Sequence, residues 1–239
     1  MIPEFFSDML PPQWEEYMES LPKTVLLERL SLKRGDRKLI EEGILRTAIT
    51  AINDDLWPAI PAAADAEELL LLSITLQSTC TTAQCKRLQE LLHSALPHPL
   101  LLLLHVGATR YLSARHGECS ISIPLPEALP PEFVQAMDIR HGSPANLRAL
   151  YNRWLCALHS LSLLQQDKLM QLVPSMGFRS FDTLEQAVQF HKQLSALLRE
   201  HAALEAELKS CRMPGKRVEL ANRRHATRQL ILSIASPPS

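Results

Sequence analysis

Seven basic side chains crowd the stretch from residue 209 to residue 228: Lys209, Arg212, Lys216, Arg217, Arg223, Arg224 and Arg228. Glu219 is the one acid among them, so seven positive charges against one negative leave a local charge of +6. The whole chain is nearly balanced, with Lys+Arg 25 against Asp+Glu 26, and no molecule-wide field draws it to nucleic acid or to a membrane. A local patch of this kind attracts phosphate backbones by releasing their counterions, without reading the bases. The competing reading is a solvated helix face that meets an acidic partner or the chain's own acidic N-terminal segment, since no aromatic residue interleaves to stack on a base.

Other reactive residue types fall into weaker patterns. His93, His98, His105 and His116 flank apolar segments, with Cys80 and Cys85 nearby, but their spacing matches no closed zinc pattern, and no metal or cofactor is expected. Asp54, Asp55, Asp65, Glu67 and Glu68 precede an apolar run, where restriction-type nucleases place a metal-binding acid. The second acid followed two residues later by lysine is missing, because only leucines follow Glu67 and Glu68. Ser120 and Ser122 lack the glycine-flanked elbow of a hydrolase nucleophile. Seven glycines in the chain form no phosphate-cradling loop. No catalytic residue is assigned, and the chain is read as a non-enzyme. At the N-terminal end Phe5, Phe6, Trp14 and Tyr17 alternate with Glu4, Asp8, Glu15, Glu16 and Glu19. They are the candidate partner-binding residues of a docking segment; the plainer reading is a terminal helix packed on its own core.

These residues must be positioned by elements that the hydrophobic pattern locates. Ala187, Phe190, Leu194, Leu197, His201, Leu204, Leu208 and Cys211 recur at spacings of three and four, the mark of a long helix with a continuous seam. Asp182 is its expected cap, with Glu185 completing a capping box. Met213-Pro214-Gly215 turns the chain, and a last helix from about Lys216 to Ala235, with Val218, Leu220, Leu230, Ile231 and Ile234 as its apolar stripe, returns antiparallel. The pair reads as a closed hairpin, not a free coiled coil. His201 takes a seam position better suited to leucine and is expected to be partly exposed near a frayed end.

Earlier in the chain, Val25 to Leu32 suits a short helix, and Asp36 can cap a second one that Gly43 ends. Ile44 to Ile52, Leu69 to Leu76, Leu100 to Val106 and Thr109 to Arg115 read as strands, with a helix from Thr81 or Thr82 to Leu96 between the second and third. Pro124, Pro126, Pro130 and Pro131 mark a stiff connector. Ser143 with Pro144 can begin a helix carrying Leu147, Leu150, Tyr151, Trp154, Leu155, Leu158 and Leu161. The fold class is α+β: a small, mostly antiparallel sheet with covering helices, then a helical C-terminal half ending in an antiparallel hairpin. The expected divisions are 1–20, an acidic and aromatic segment; 21–120, the α+β domain; 121–142, the Pro-rich connector; and 143–239, the helical region. The five cysteines read as reduced and mostly buried. The run from Pro99 to Val106 is too short to cross a bilayer, and the first residues lack a secretion signal, so a cytoplasmic location is expected.

Three stretches, taken with length and element order, carry a resemblance. They are Leu21-Pro22-Lys23; Ala95-Leu96-Pro97-His98-Pro99-Leu100 with Arg110-Tyr111-Leu112; and Lys216-Arg217-Val218-Glu219-Leu220-Ala221-Asn222. Over about residues 20 to 235 the chain resembles the bacterial and archaeal family of uncharacterised proteins known as domain of unknown function four-three-nine-one. It departs from the family pattern where Thr47, Ala48 and Ile49 stand in place of an aromatic residue. The resemblance implies a genomic setting: an accessory member of phage-defence islands that also encode a helicase and a DNA methyltransferase. From it follows the leading expectation, a non-enzymatic subunit of an antiviral, restriction-like complex with a helicase or methyltransferase as partner. The alternatives are a nucleic-acid-binding module that uses the basic tip, with DNA as partner, and a divergent metal-dependent nuclease.

Overall fold

A computed structural model of the chain describes residues 18–30, 32–53, 57–96, 98–117 and 119–236. Its centre is the pair formed by β3 (Leu69–Leu76) and β4 (Leu100–Val106). Leucine is no strong strand former, but unbroken apolar runs suit strands buried on both faces. Leu69, Leu71, Leu72 and Ile74 of β3 and Leu101, Leu102, Leu103 and Leu104 of β4 accordingly have no exposed surface. The two strands run parallel, from Leu70 opposite Leu100 to Leu76 opposite Val106. A parallel pair cannot be joined by a tight turn, and helix α3 (Thr82–Ala95) supplies the crossover. Its start is fixed by a capping box, in which the Gln84 backbone donates to Thr81 Oγ1 at 3.3 Å and the Thr81 backbone donates to Gln84 Oε1 at 2.8 Å.

The remaining pairings are antiparallel and follow chain order from edge to edge: β1 (Glu19–Ser20), β2 (Ile44–Ile52), β3, β4, β5 (Thr109–His116) and β6 (Cys119–Pro124). Gly107, at φ 58°, makes the turn between β4 and β5. One sheet face, with Leu70, Leu72, Leu102 and Leu104, packs with Leu26 of helix α1 (Lys23–Arg29), with Ile40, and with Cys85, Leu88 and Leu92 of α3. Helix α2 (Arg34–Lys38) runs into a π-helical turn, Leu39–Gly43, that delivers the chain to β2. Further on, α4 (Pro131–Met137) and α5 (Leu147–Leu164) bury Phe133, Met137, Leu150, Tyr151 and Trp154 completely. The Tyr151 hydroxyl ties α5 to the sheet: it accepts from the Arg115 backbone N–H at 2.9 Å and lies 2.7 Å from the Arg115 carbonyl and 3.0 Å from that of Leu100. Burial pushes its pKa up to about 12.

By its contacts the chain divides into two compact units, one ending at Leu158 and the other beginning at His159. The second is all-helical: the end of α5, α6 (Asp167–Leu172), α7 (Leu184–Ser210) and α8 (Pro214–Ala235). Its core joins Leu163, Leu169, Val173, Met176, Leu194, Leu198, Ile231 and Ala235. Arg179 locks the connection ahead of α7: its backbone donates to Ser160 Oγ, its guanidinium to the Ile234 carbonyl, and it lies 4.3 Å over the Phe190 ring.

The α+β class and the helical hairpin stand as expected. Several local expectations do not. Residues 121–124, expected in the connector, belong to β6, where buried Ile121 and Ile123 alternate with exposed Ser120 and Ser122; Pro124 is tolerated because the strand lies at the sheet edge. Residues 131–137 of the same connector are helix α4. The helix expected at Ser143 begins at Leu147, because Ser143 adopts φ 39° and Asn146 takes over as cap, accepting from the Ala149 N–H at 2.9 Å. Asp36 lies inside α2 instead of capping it. It faces Arg87 of α3, which donates through Nε to Oδ1 at 2.9 Å and through Nη2 to Oδ2 at 2.8 Å.

Tyr151→Phe leaves the Arg115 backbone N–H without a partner and costs about 1–3 kcal/mol in denaturant unfolding; an unchanged midpoint would show that the hydroxyl carries no stability. The Arg87 hydrogen bonds hold the Asp36 carboxyl below its usual range, so their stabilisation is complete above the ordinary carboxylate pKa of about 4 and fades as pH falls through the lowered folded-state value. Thermal melts should therefore show Asp36→Asn below the wild type at pH 7, with the gap narrowing in acid.

Candidate nucleic-acid interface

The basic residues sit on a hairpin whose halves are started and stopped by local chemistry. Thr183, not Asp182, caps α7, its Oγ1 accepting from the Gln186 N–H at 3.2 Å. Pro214 opens α8 at a position where its missing N–H costs nothing. Only residues 211–213 separate the helices, so they pack antiparallel. The buried stripe of α7 is Leu184, Ala187, Leu194, Leu198, His201 and Leu204. Leu198 is buried beside the expected Leu197, while Phe190 and Leu208 are half-buried.

Helix α8 buries Leu220, Thr227, Ile231 and Ala235. Positions spaced by seven and four residues make one narrow stripe, and Val218 and Leu230 fall outside it. Expected in the seam, they are instead 62% and 51% exposed. Thr227 is accommodated because its hydroxyl donates to the Arg223 carbonyl at 3.1 Å. His201, expected to be partly exposed, is 5% exposed, because α8 covers the middle of α7. It makes no hydrogen bond to another described residue.

All seven basic residues are exposed. Lys209 ends α7, Arg212 lies in the turn, Lys216 and Arg217 open α8, and Arg223, Arg224 and Arg228 continue along it. Lys216 pairs with Glu207 at 2.9 Å. Among the described residues the other six form no ion pair. Arg217, Arg224 and Arg228, at i, i+7 and i+11, share a face that extends about 16 Å, roughly half the rise of a duplex turn. Helix stability does not account for Lys216 and Arg217, since cations in a first turn oppose the helix dipole and α8 has no acid there. The positive end of the dipole adds to their attraction for an anion.

The other candidate residues are dispersed. Phe5, Phe6, Trp14 and Tyr17 lie outside the described residues, as do Asp54 and Asp55. Asp65 pairs with Arg148 at 2.9 Å, Glu68 lies 3.3 Å from His98, and Glu67 is exposed. Cys80 and Cys85 lie at the opposite end of α3 from His93, with Cys80 Sγ 3.9 Å from the Gly43 carbonyl. His105, about 16 Å along β4 from its start, is half-buried, and burial and Arg110 lower its pKa. His93, His98 and His116, by contrast, share a cleft with Arg115 and Arg148. Among the described residues no three His, Cys, Asp or Glu side chains are grouped to hold a metal, and no helix is long and apolar enough to cross a membrane. In the second unit His159 and His191, unremarked in the sequence pattern, meet edge to face with their Nδ1 atoms 3.3 Å apart. Burial pushes His159 down to about 4 and lowers His191.

A six-stranded mixed sheet covered by helices, followed by an all-helical unit that ends in an antiparallel hairpin with exposed basic residues, defines an α+β protein. The chain belongs to the family described as Domain of unknown function (DUF4391), whose family model matches residues 11–229. No curated protein and no solved structure matches the chain.

The seam yields a stability prediction. Leucine at the buried His201 position would add apolar surface to the seam, so His201→Leu should hold or raise the melting temperature. A clear drop would mean that the imidazole makes a contact needed by the hairpin.

Proposed function

We propose that the protein is a non-enzymatic accessory subunit of a phage-defence complex, acting in the cytoplasm beside a helicase or DNA methyltransferase and contacting nucleic acid through α8 and the hairpin tip. The setting rests on the family resemblance. The nucleic-acid contact rests on one observation: six exposed cations on a single hairpin, none of them neutralised by a carboxylate of the described residues. Val218 and Leu230, exposed on the same helix, favour a protein neighbour as well, since apolar side chains amid cations suit a mixed surface better than a purely phosphate-facing one.

The proposal is tested by titrating the purified full chain into labelled duplex DNA over a range of salt. Six phosphate contacts would make log affinity fall with log salt at a slope of about −5. Arg223→Glu with Arg224→Glu should weaken binding by at least about tenfold and flatten the slope by about two. Binding that ignores both salt and this double change overturns the nucleic-acid role. Failure to co-purify with a neighbour-encoded helicase or methyltransferase overturns the accessory role, and metal-dependent cleavage abolished by Asp55→Ala overturns the non-enzymatic one.

A further inference from the structure

A second cluster of arginine and imidazole side chains lies in the first unit, at the end of the sheet where α3 finishes, β4 begins and β5 ends. His93, His98, Arg115, His116 and Arg148 surround a cleft of about 330 Å³, at the lower end of the range for small-molecule sites. Both arginines are held in place by the fold. Arg115 donates through Nε to the Gly117 carbonyl at 2.9 Å and through Nη1 to Ser94 Oγ at 2.9 Å, while its backbone is fixed by Tyr151. Arg148 donates through Nη1 to His116 Nδ1 at 3.1 Å and through Nη2 to the Asp65 carbonyl at 2.7 Å.

Asp65 and Glu68 equal the two arginines in number, so the uncompensated charge is local to Arg115. Arg148 has Asp65 as its counter-ion and Glu68 lies against His98, but Arg115 is held only by neutral acceptors and pairs with no carboxylate of the described residues. A guanidinium has five N–H donors, and two of those of Arg115 are engaged. Arginine has no lone pair to offer, so its bond to His116 Nδ1 places the imidazole proton on Nε2 and makes His116 a donor too. Beyond Arg115 a smaller cavity of about 170 Å³ is lined by Lys86, by the hydroxyls of Ser113, Ser120 and Ser122, and by Glu90, whose carboxylate lies 3.9 Å from Arg87. A fixed unpaired arginine, a second arginine beside it, an imidazole donor and a hydroxyl-lined extension together suit a doubly charged oxyanion carried on a polar body.

We infer that this cleft binds a phosphate monoester, with Arg115 as its principal contact and Arg148 and His116 assisting. His93, which burial and then Arg115 push down to about 4, stays neutral and forms the wall behind Ser113, 3.0 Å from its hydroxyl. The site is separate from the hairpin. A phosphate monoester reaches it either as a free nucleotide or as the 5′ end of a nucleic acid.

Isothermal titration of the full chain carrying Arg223→Glu and Arg224→Glu, which weakens the hairpin contact, helps to separate this site from the proposed interface. The probes are inorganic phosphate, adenosine monophosphate, and one oligonucleotide with and without its 5′ phosphate. Saturable binding of phosphate or the monophosphate is expected, weakened about tenfold to a hundredfold by Arg115→Gln. A gain in oligonucleotide affinity from the 5′ phosphate, lost with Arg115→Gln, assigns the ligand to nucleic-acid ends, and mononucleotide binding without such a gain assigns it to free nucleotides. Ser94→Ala, which frees Arg115 without removing it, should give an intermediate loss and guards against a misfolded Arg115 variant. Absence of binding by every probe, or affinities that neither substitution changes, overturns the inference.

Discussion

The parallel pairing of β3 with β4 is the constraint on which the first unit depends. Two strands this rich in leucine are stable only when both faces are covered, and a parallel pair demands a crossover long enough to return the chain to its starting end. Helix α3 meets both needs at once. It covers one face through Cys85, Leu88 and Leu92, and its final turn brings His93 and Ser94 to the end of the sheet where β4 begins. The first turns of α5 carry Arg148 and Tyr151 to that same end, where they meet His116 and the Leu100 carbonyl. The arginine cleft is thus a by-product of how a doubly buried strand pair is closed.

The second unit obeys a different rule. Its hairpin buries one narrow stripe from each helix and leaves most of α8 in water. A helix so weakly buried gains little from packing, yet it bears cations at the end where the helix dipole disfavours them. The arrangement is understandable if the exposed surface has a ligand of opposite charge. The paired histidines His159 and His191 and the Arg179 contacts stabilise the base of the hairpin, leaving the tip free of carboxylates except Glu207 and Glu219.

Long periodic or apolar segments were legible in the sequence: four strands and the crossover helix fall within a residue or two of their expected bounds, and the basic stretch is as exposed as its composition implies. Local choices were less so. Prolines hid the alternation of β6, since a strand at an edge can end on Pro124 without losing a ladder bond. Ser143 looked like a cap until its backbone turned left-handed. Asp36 looked like a cap because its partner, Arg87, is distant in sequence and only tertiary structure brings the pair together. In α8 the apolar Val218 and Leu230 misled, because the helical stripe is chosen by geometry and accepted Thr227 in preference. The cleft was invisible for a related reason: its arginines lie on β5 and α5, and their hydrogen-bond partners come from four separate segments.

The central claim is that the exposed cations of α8 and the hairpin tip meet a phosphate backbone. Amide hydrogen exchange of the full chain, with and without a saturating DNA duplex at low salt, tests it most directly. The account predicts slowed exchange across residues 212–228, reversed by raising the salt. Slowed exchange confined to the sheet, or none anywhere while DNA is bound, would contradict it.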